Sequence, residues 1–338
     1  MPEKIDKKIR VAFLGRGSLG LFVLNGLLNN PRIEVPVIIV CAASPEVGDE
    51  EQAFEKLAND HGIPFYRTNR VNSQEWVDRL NDMSLDLAVA MLWLYTLQAP
   101  VLSTARIGFL NLHGGMLPRY RGNACSNWAI LNRETEQGLS VHLMDPGKLD
   151  SGPVILQEPI PMDDTTTIKY LMDHIMSRGG EMVLDAINLI LDGRHTPVQQ
   201  DETKALRCYP RLPRDGEIDW SRSADDIECL IRVAGDPYPG AYSYFADIKD
   251  KMAIKKLTIL SASIEKHDTD FCAVPGHVLK LDNGKKWAVV CGDMKLLILR
   301  DIKIDGQSIS PADYFKTIRQ RLGLDTETLL NEIRKHRT

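Results

Sequence analysis

The sequence predicts an α/β protein in which a doubly wound, mostly parallel sheet is followed by a second, smaller β-rich domain. Three observations lead there. Through Leu191, short apolar runs alternate with segments of helical apolar spacing, the pattern of repeated strand–helix–strand units. Beyond about Asp215 this alternation gives way to strand-like runs in succession. The length, 338 residues, corresponds to two domains at roughly 150 residues each.

The first strand is IRVAFL at 9–14, closed by Gly15, and residues 18–30 continue with apolar positions at helical spacing. A strand at 35–43 (VPVIIVCAA), a polar helix at 50–62, a short strand at 63–66 (IPFY), a helix from Ser73 and a strand at 85–92 (LDLAVAML) repeat the unit. GFLNLH at 108–113 and a helical stretch at 124–131 come next, and LSVHLMD at 139–145 with PVILQEPI at 153–160 reads as a hairpin-like pair closing the sheet. Apolar residues at Ile168, Leu171, Met172, Ile175, Met182, Ile187 and Leu191 predict a long covering helix that ends at Gly193.

Residues 194–214 hold three prolines, mixed charges and little periodicity, which predicts a linker between a catalytic domain at 1–193 and a β-rich domain at 215–338. That second domain opens with a helix at 224–234. It continues with AYSYF, MAIKKLTILSASI, GHVLKLD, KWAVVCG and KLLILRDIKI as strands, LDNGKK as a hairpin turn, and one or two C-terminal helices.

Composition narrows the function. With 41 basic against 46 acidic residues and a net charge of −5, nothing draws the chain as a whole to phosphate backbones, so nucleic acid is not the expected partner. The longest apolar run, Leu87 to Tyr95, is about half of the ~18 residues a membrane span needs. No apolar segment of signal-peptide length follows the charged start, which reads as a cytoplasmic protein. The cysteines at 41, 125, 208, 229, 272 and 291 lack metal-site or redox spacing, and no metal is expected. Cys125 admits two readings, a nucleophile or a small buried apolar residue.

Gly15-Arg-Gly17-Ser-Leu-Gly20 matches G-x-G-x-x-G between a strand and a helix. A dinucleotide site also needs an acidic residue at the end of the second strand, about 20 positions on. That strand runs Val40-Cys41-Ala42-Ala43-Ser44-Pro45, with Glu46 its nearest acid. Tight turning and close helix packing account for the glycines without a nucleotide.

Asn111 and His113 stand two apart at the carboxyl end of a central strand, so both leave the same sheet face where open α/β sheets bind ligands. The loop after them, Gly114 to Asn123, is rich in glycine and carries Arg119 and Arg121, which could grip a phosphate or carboxylate. A second loop, Met144 to Gly152, places Asp145 and Asp150 at its ends.

NLHGGMLPRYRG at 111–122 and VHLMDPGKLDSGPVILQ at 141–157 resemble the two ordered motifs of the folate-dependent formyltransferases, and PRDGEIDWSRSADDIECLIRVAGDPYPGAYSYF resembles the start of the carboxy-terminal domain of methionyl-tRNA formyltransferases and some sugar N-formyltransferases. The resemblance covers most of the chain. It implies a Rossmann-like catalytic domain with a second, OB-like barrel domain, 10-formyltetrahydrofolate as co-substrate, and Asn111, His113 and Asp150 as catalytic residues. Met91, Leu92, Trp93, Asp145 and Leu149 would bind the folate, and Met116, Leu117, Pro118, Arg119, Tyr120, Arg121 and Gly122 the acceptor. Gly114-Gly115 departs from the family, which has one Gly or Pro and then Ser. The loop reads closer to enzymes that formylate the amine of a nucleotide-linked amino sugar than to those acting on methionyl-tRNA, the alternative. Hydrolysis of the formylfolate is a further reading, and a homodimer is left open.

Overall fold

The computed structural model describes residues 8–41, 51–250, 253–267 and 270–335. Ala42 to Pro45 and Glu46, on which the dinucleotide argument turned, lie outside the described residues. Two compact units form. Unit 1 comprises 1–126, 135–161 and 172–210, and unit 2 comprises 127–134, 162–171 and 211–338.

In chain order the elements begin with β1 (Ile9–Gly15), α1 (Gly17–Leu28), β2 (Ile33–Glu34), β3 (Ile38–Val40), α2 (Glu51–His61), β4 (Phe65–Arg67), α3 (Gln74–Asp82) and β5 (Leu85–Met91). They continue through α4 (Ala99–Leu102), β6 (Ala105–His113), β7 (Arg121–Gly122), α5 (Cys125–Leu131), β8 (Glu136–Leu143), β9 (Val154–Pro161) and α6 (Ile168–Leu191). The main sheet runs β4-β3-β1-β5-β6-β8-β9, with β2 also on β1. Every pair from β4 to β6 is parallel, while β8 is antiparallel to β6 and to β9. Strand order reverses at β1, so the crevice at the carboxyl ends of β1, β5 and β6 is the ligand position this topology favours.

The core explains why these strands are nearly continuous apolar runs. Ala12, Leu14, Val37, Ile39, Ala88, Ala90 and Phe109 are buried in one cluster with Trp76, Leu80 and Val101 from the covering helices. The first glycines serve packing, as expected. A Cβ on Gly15 would lie 2.7 Å from the Phe13 ring and 3.0 Å from the Met91 carbonyl oxygen.

The segment expected to be a plain linker does more than connect. Its chain to Pro210 belongs to unit 1, where β10 (Arg207–Cys208) pairs in parallel with β7, a long-range contact without a periodicity signal.

Unit 2 contains α7 (Ala224–Ala234), β11 (Ala241–Asp247), β12 (Ala253–Glu265), β13 (Val278–Leu281), β14 (Lys286–Val290), β15 (Leu296–Ile304), β16 (Gln307–Ile309), α8 (Pro311–Tyr314) and α9 (Thr326–Lys335). Its antiparallel sheet, β11-β12-β15-β14-β13 with β16 on β15, is a half-barrel over a core that includes Trp287, Leu297, Phe245, and Ile227 and Ile231 of α7. Among the described residues, no helix is long and apolar enough to cross a membrane.

Candidate active site

Asn111 and His142 are cross-strand partners on β6 and β8, and His113 pairs with Ser140 two positions on. Directly opposed residues of an antiparallel pair share a face with Cβ atoms about 5 Å apart. The register therefore sets four polar side chains over one patch, and the loop after β8 brings Asp150 onto it. His113 Nδ1 lies 3.5 Å from Asp150 Oδ2, and His142 Nε2 lies 3.6 Å from Asp150 Oδ1. Asn111 Nδ2 is 3.1 Å from His142 Nε2. The expected trio thus meets, with His142 as a fourth member.

Asp150 has φ +53°, the left-handed region that aspartate tolerates better than most residues. Several groups hold it there. The Gly122 N–H donates to Oδ2 at 2.9 Å. Gln200 Nε2 donates to the carbonyls of Asp150 (2.8 Å) and Gly152 (2.7 Å). Gly152 must be glycine, since a Cβ there would sit 1.9 Å from the Leu143 carbonyl oxygen. Gly122 has φ +104°, and a Cβ on it would be 2.4 Å from the Cys208 carbonyl oxygen.

The loop after β6 is pinned from below. Ser140 Oγ donates to the Gly115 carbonyl at 2.6 Å, and Gln157 Nε2 donates to the Leu117 carbonyl at 2.8 Å. His113 Nε2 meets the Tyr120 carbonyl at 2.6 Å, which returns the loop to the strand it left. The departure at Gly115 has a steric cause: a Cβ there would lie 2.7 Å from both His113 Nε2 and the Tyr120 carbonyl oxygen.

The electrostatics follow from burial. Burial pushes His113 below the ordinary imidazole range; Asp150 and the Tyr120 carbonyl oppose this, and His142 adds to it. Burial alone would raise Asp150, but the pairing with His142, the charge of His113 and the Gly122 N–H outweigh it and hold the carboxyl below its usual range. Cys125 Sγ approaches His113 Nε2 at 3.7 Å, yet the thiol is buried and burial drives its pKa far up, which favours the reading of a packed thiol.

Other expected site residues are placed differently. Arg121 is 6 % exposed, and its guanidinium is taken by Gln200 Oε1 (3.0 and 2.8 Å) and Glu202 Oε1 (2.8 Å). It is a clamp within unit 1, because the β7–β10 pairing turns it inward. Leu117 and Tyr120 are also buried, Met116, Pro118 and Gly122 are half-buried, and Arg119 is exposed with its guanidinium 5.5 Å from the Tyr120 ring centre. His113, expected to donate to an oxyanion, has Nε2 on Tyr120 and Nδ1 toward Asp150.

Around the end of β5, the Met91 side chain is buried, Leu92 is exposed with φ +52°, and the carbonyls of Met91 and Leu92 accept from the Arg16 backbone N–H (3.2 Å) and Nε (2.8 Å). The Trp93 indole N–H is buried without a protein partner. Leu149 is half-buried, and Asp145 is exposed and accepts from Ser151 Oγ at 3.3 Å. Among the described residues, no group of His, Cys, Asp and Glu has the arrangement to hold a metal ion. His142 and Gln200 were missed. Alternation along 139–143 would have put His142 on the face of Ser140, but it required the β6–β8 register; Gln200 has no local signal.

The sheet, with its site at the carboxyl end of β6, has counterparts among known proteins. Residues 7–187 match the formyl transferase family and residues 212–319 the formyl transferase C-terminal domain. The first match spans more than half of the chain, which therefore belongs to the formyl transferase family. A methionyl-tRNA formyltransferase of Clostridium novyi (strain NT) is 29% identical over 305 residues, 88% of this chain and 93% of the relative. The fold is shared with WlaRD, a sugar 3N-formyl transferase solved in the presence of dTDP and 5-N-formyl-THF (TM-score 0.60, 17% identity, 89% of this chain and 98% of that one). It is also shared with an N-formyltransferase from Helicobacter canadensis solved with folinic acid and dTDP-3-aminofucose (TM-score 0.59, 16% identity, 89% and 100%).

Two outcomes are expected. Gly115→Ser should cost about 1–3 kcal/mol, the range for overpacking a filled site, read as a lower urea midpoint. An unchanged midpoint would mean that the loop yields freely. The second concerns pH. The folded state favours neutral His113, whereas the unfolded chain takes up its proton near the ordinary value of 6.5. Folded protein then binds fewer protons, so stability is present above that pH and is lost as pH falls from it toward the folded value. Asp150 acts in the same sense further down, its contribution lost as pH falls through its depressed value. Between pH 7.5 and 5.5 the wild type should lose more unfolding free energy than His113→Asn, and equal losses would exonerate His113.

Proposed function

We propose that the chain moves the formyl group of 10-formyltetrahydrofolate to the primary amine of a nucleotide-linked amino sugar, with Asn111, His113 and Asp150 as catalytic residues. The observation that carries the chemistry is the convergence of proton acceptors on Asp150. A carbonyl oxygen only accepts, so the Tyr120 carbonyl keeps the hydrogen of His113 on Nε2 and leaves neutral Nδ1 bare, 3.5 Å from the carboxylate. The centre has room for one more proton.

Attack of the amine on the formyl carbon forms a C–N bond, places negative charge on the formyl oxygen and makes the attacking nitrogen acidic. Asp150 takes that proton, shares it with His113 Nδ1, and delivers it to the folate nitrogen as the old C–N bond breaks. Asn111 spends one amide N–H on His142 and has a second for the oxyanion. The charge on the oxyanion then disperses without a covalent enzyme intermediate.

For the folate, the end of β5 supports a pocket: exposed Leu92, the unpartnered indole N–H of Trp93, and the 144–150 loop leaving β8 on the far side of β6. The compounds named with the two structural neighbours support the same choice and, with dTDP and dTDP-3-aminofucose, the sugar acceptor. Arg119 is the exposed arginine of the acceptor loop and the candidate contact for a diphosphate.

Methionyl-tRNA is the second reading, favoured by the Clostridium novyi relative aligned over 93% of its length. Charge placement argues the other way. Lys204 pairs with Asp201, Lys255 with Asp250 and Asp305, and Lys286 with Glu265 and Asp282, an interleaving that offsets positive charge at these positions.

Asn111→Ala should lower turnover by about 10²-fold or more, the scale of one lost oxyanion donor, with the unfolding midpoint retained. Near-normal turnover in the folded variant removes Asn111 from the chemistry. Side-by-side assays should show formylation of dTDP-amino sugars with an acceptor KM that rises in Arg119→Ala while folate KM holds. Efficient formylation of methionyl-tRNA, with an acceptor KM climbing steeply with salt, and inert amino sugars would reverse the order of the two acceptors.

A further inference from the structure

We infer that His142 is a positioning residue of the transfer reaction, fixing which way the Asn111 carboxamide faces through a ring tautomer imposed by the Leu143 carbonyl. The inference rests on the catalytic reading of Asn111 given above. An amide side chain has two orientations of nearly equal shape, related by exchanging O and N. Only one of them leaves the second amide N–H free to face an oxyanion while the first is bound.

The selection begins at the backbone. His142 Nδ1 lies 2.9 Å from the Leu143 carbonyl oxygen, which can only accept, so the ring hydrogen resides on Nδ1. Nε2 of the neutral ring is then a bare acceptor. It stands 3.1 Å from Asn111 Nδ2 and takes one of its two hydrogens. The opposite orientation would set Oδ1 against the bare nitrogen, acceptor to acceptor, in a place where His142 is 1% exposed and water cannot intervene. The carboxamide is held one way round, with its second N–H and its Oδ1 turned from His142.

The groups that face His142 define when the lock holds. They are Asn111 and His113 from β6, the rings 6.5 Å apart, and Asp150 from the loop, while its cross-strand neighbour on β9 is Val154. A proton on Nε2 would turn that nitrogen into a donor, set it against the Asn111 N–H, and favour Asp150 Oδ1 at 3.6 Å. The lock thus requires neutral His142. The two histidines carry opposite tautomers, His113 with its hydrogen on Nε2 and His142 on Nδ1, each dictated by a main-chain carbonyl.

The tautomers are read directly by nitrogen NMR of histidine-labelled full-length protein near pH 7.5, with His142→Gln assigning the resonances. The expected signature is Nδ1–H for His142; Nε2–H there overturns the inference without any substrate. For turnover, 10-formyltetrahydrofolate is used with whichever of dTDP-amino sugar or methionyl-tRNA the wild type formylates. His142→Leu should lower kcat about 10- to 100-fold with both KM values within about twofold, and His142→Gln, which keeps an acceptor at similar reach, should recover about tenfold of that. In an Asn111→Ala background His142→Leu should cost nothing further, the non-additivity expected of one unit. Additive losses overturn the inference. If His142→Leu fails to fold, the spectrum and His142→Gln decide. An inactive Asn111→Ala with a fully active His142→Leu defeats this inference alone, whereas a fully active Asn111→Ala defeats the catalytic reading beneath it.

Discussion

A carboxylate withdrawn from water costs several kcal/mol unless its oxygens are met by donors or opposite charge. Asp150 meets that cost first with the Gly122 main-chain N–H at 2.9 Å, while two imidazole nitrogens stand 3.5 and 3.6 Å from its oxygens, and much of unit 1 is arranged to place these groups. The β6–β8 register brings His113 and His142 to one patch, the β7–β10 pairing presents the Gly122 N–H, and Gln200 ties down the backbone on which the carboxylate rides. Moving the Gly122 N–H by an ångström would leave a buried carboxylate short of its donor. The site's precision is thus enforced by the energetics of a single group.

Under the proposed mechanism, the same arrangement suits proton transfer more than tight ion pairing. Burial pushes His113 toward neutrality. A carboxylate held below its usual range beside a bare imidazole nitrogen has a place for a proton and only a modest hold on it, which is what the proposed transfer asks of Asp150. A lysine or arginine in place of either ring would make Asp150 more comfortable and less useful.

The parts of this picture that depend on local periodicity were legible in the sequence. Asn111 and His113 declare themselves by their spacing at a strand's end, and the long helix declares its limit at Gly193, whose φ is +62°. Asp150 was legible by resemblance, since two aspartates bracket its loop and nothing in their spacing chooses between them. His142 required the partner strand's register. Arg121 was misread because a guanidinium in a glycine-rich loop suggests an anion, whereas its surroundings are set by residues 200–208, some 80 positions later. The short strands β2, β7, β10 and β16 carry two or three residues each, too few to show a period.

Gln200 has a consequence for how such chains can be rearranged. It lies beyond the end of α6, in a stretch of few apolar residues that a designer or a recombination event would treat as dispensable tether, yet it bonds the backbone at Asp150 and Gly152 and braces Arg121. A fusion joined just after Gly193 would carry the whole parallel sheet and all of β6 to β9 while leaving behind the peg that holds the acid's loop. A seam past Pro210 keeps Gln200 with the loop it holds, so the last border of unit 1 lies in what reads as connective text.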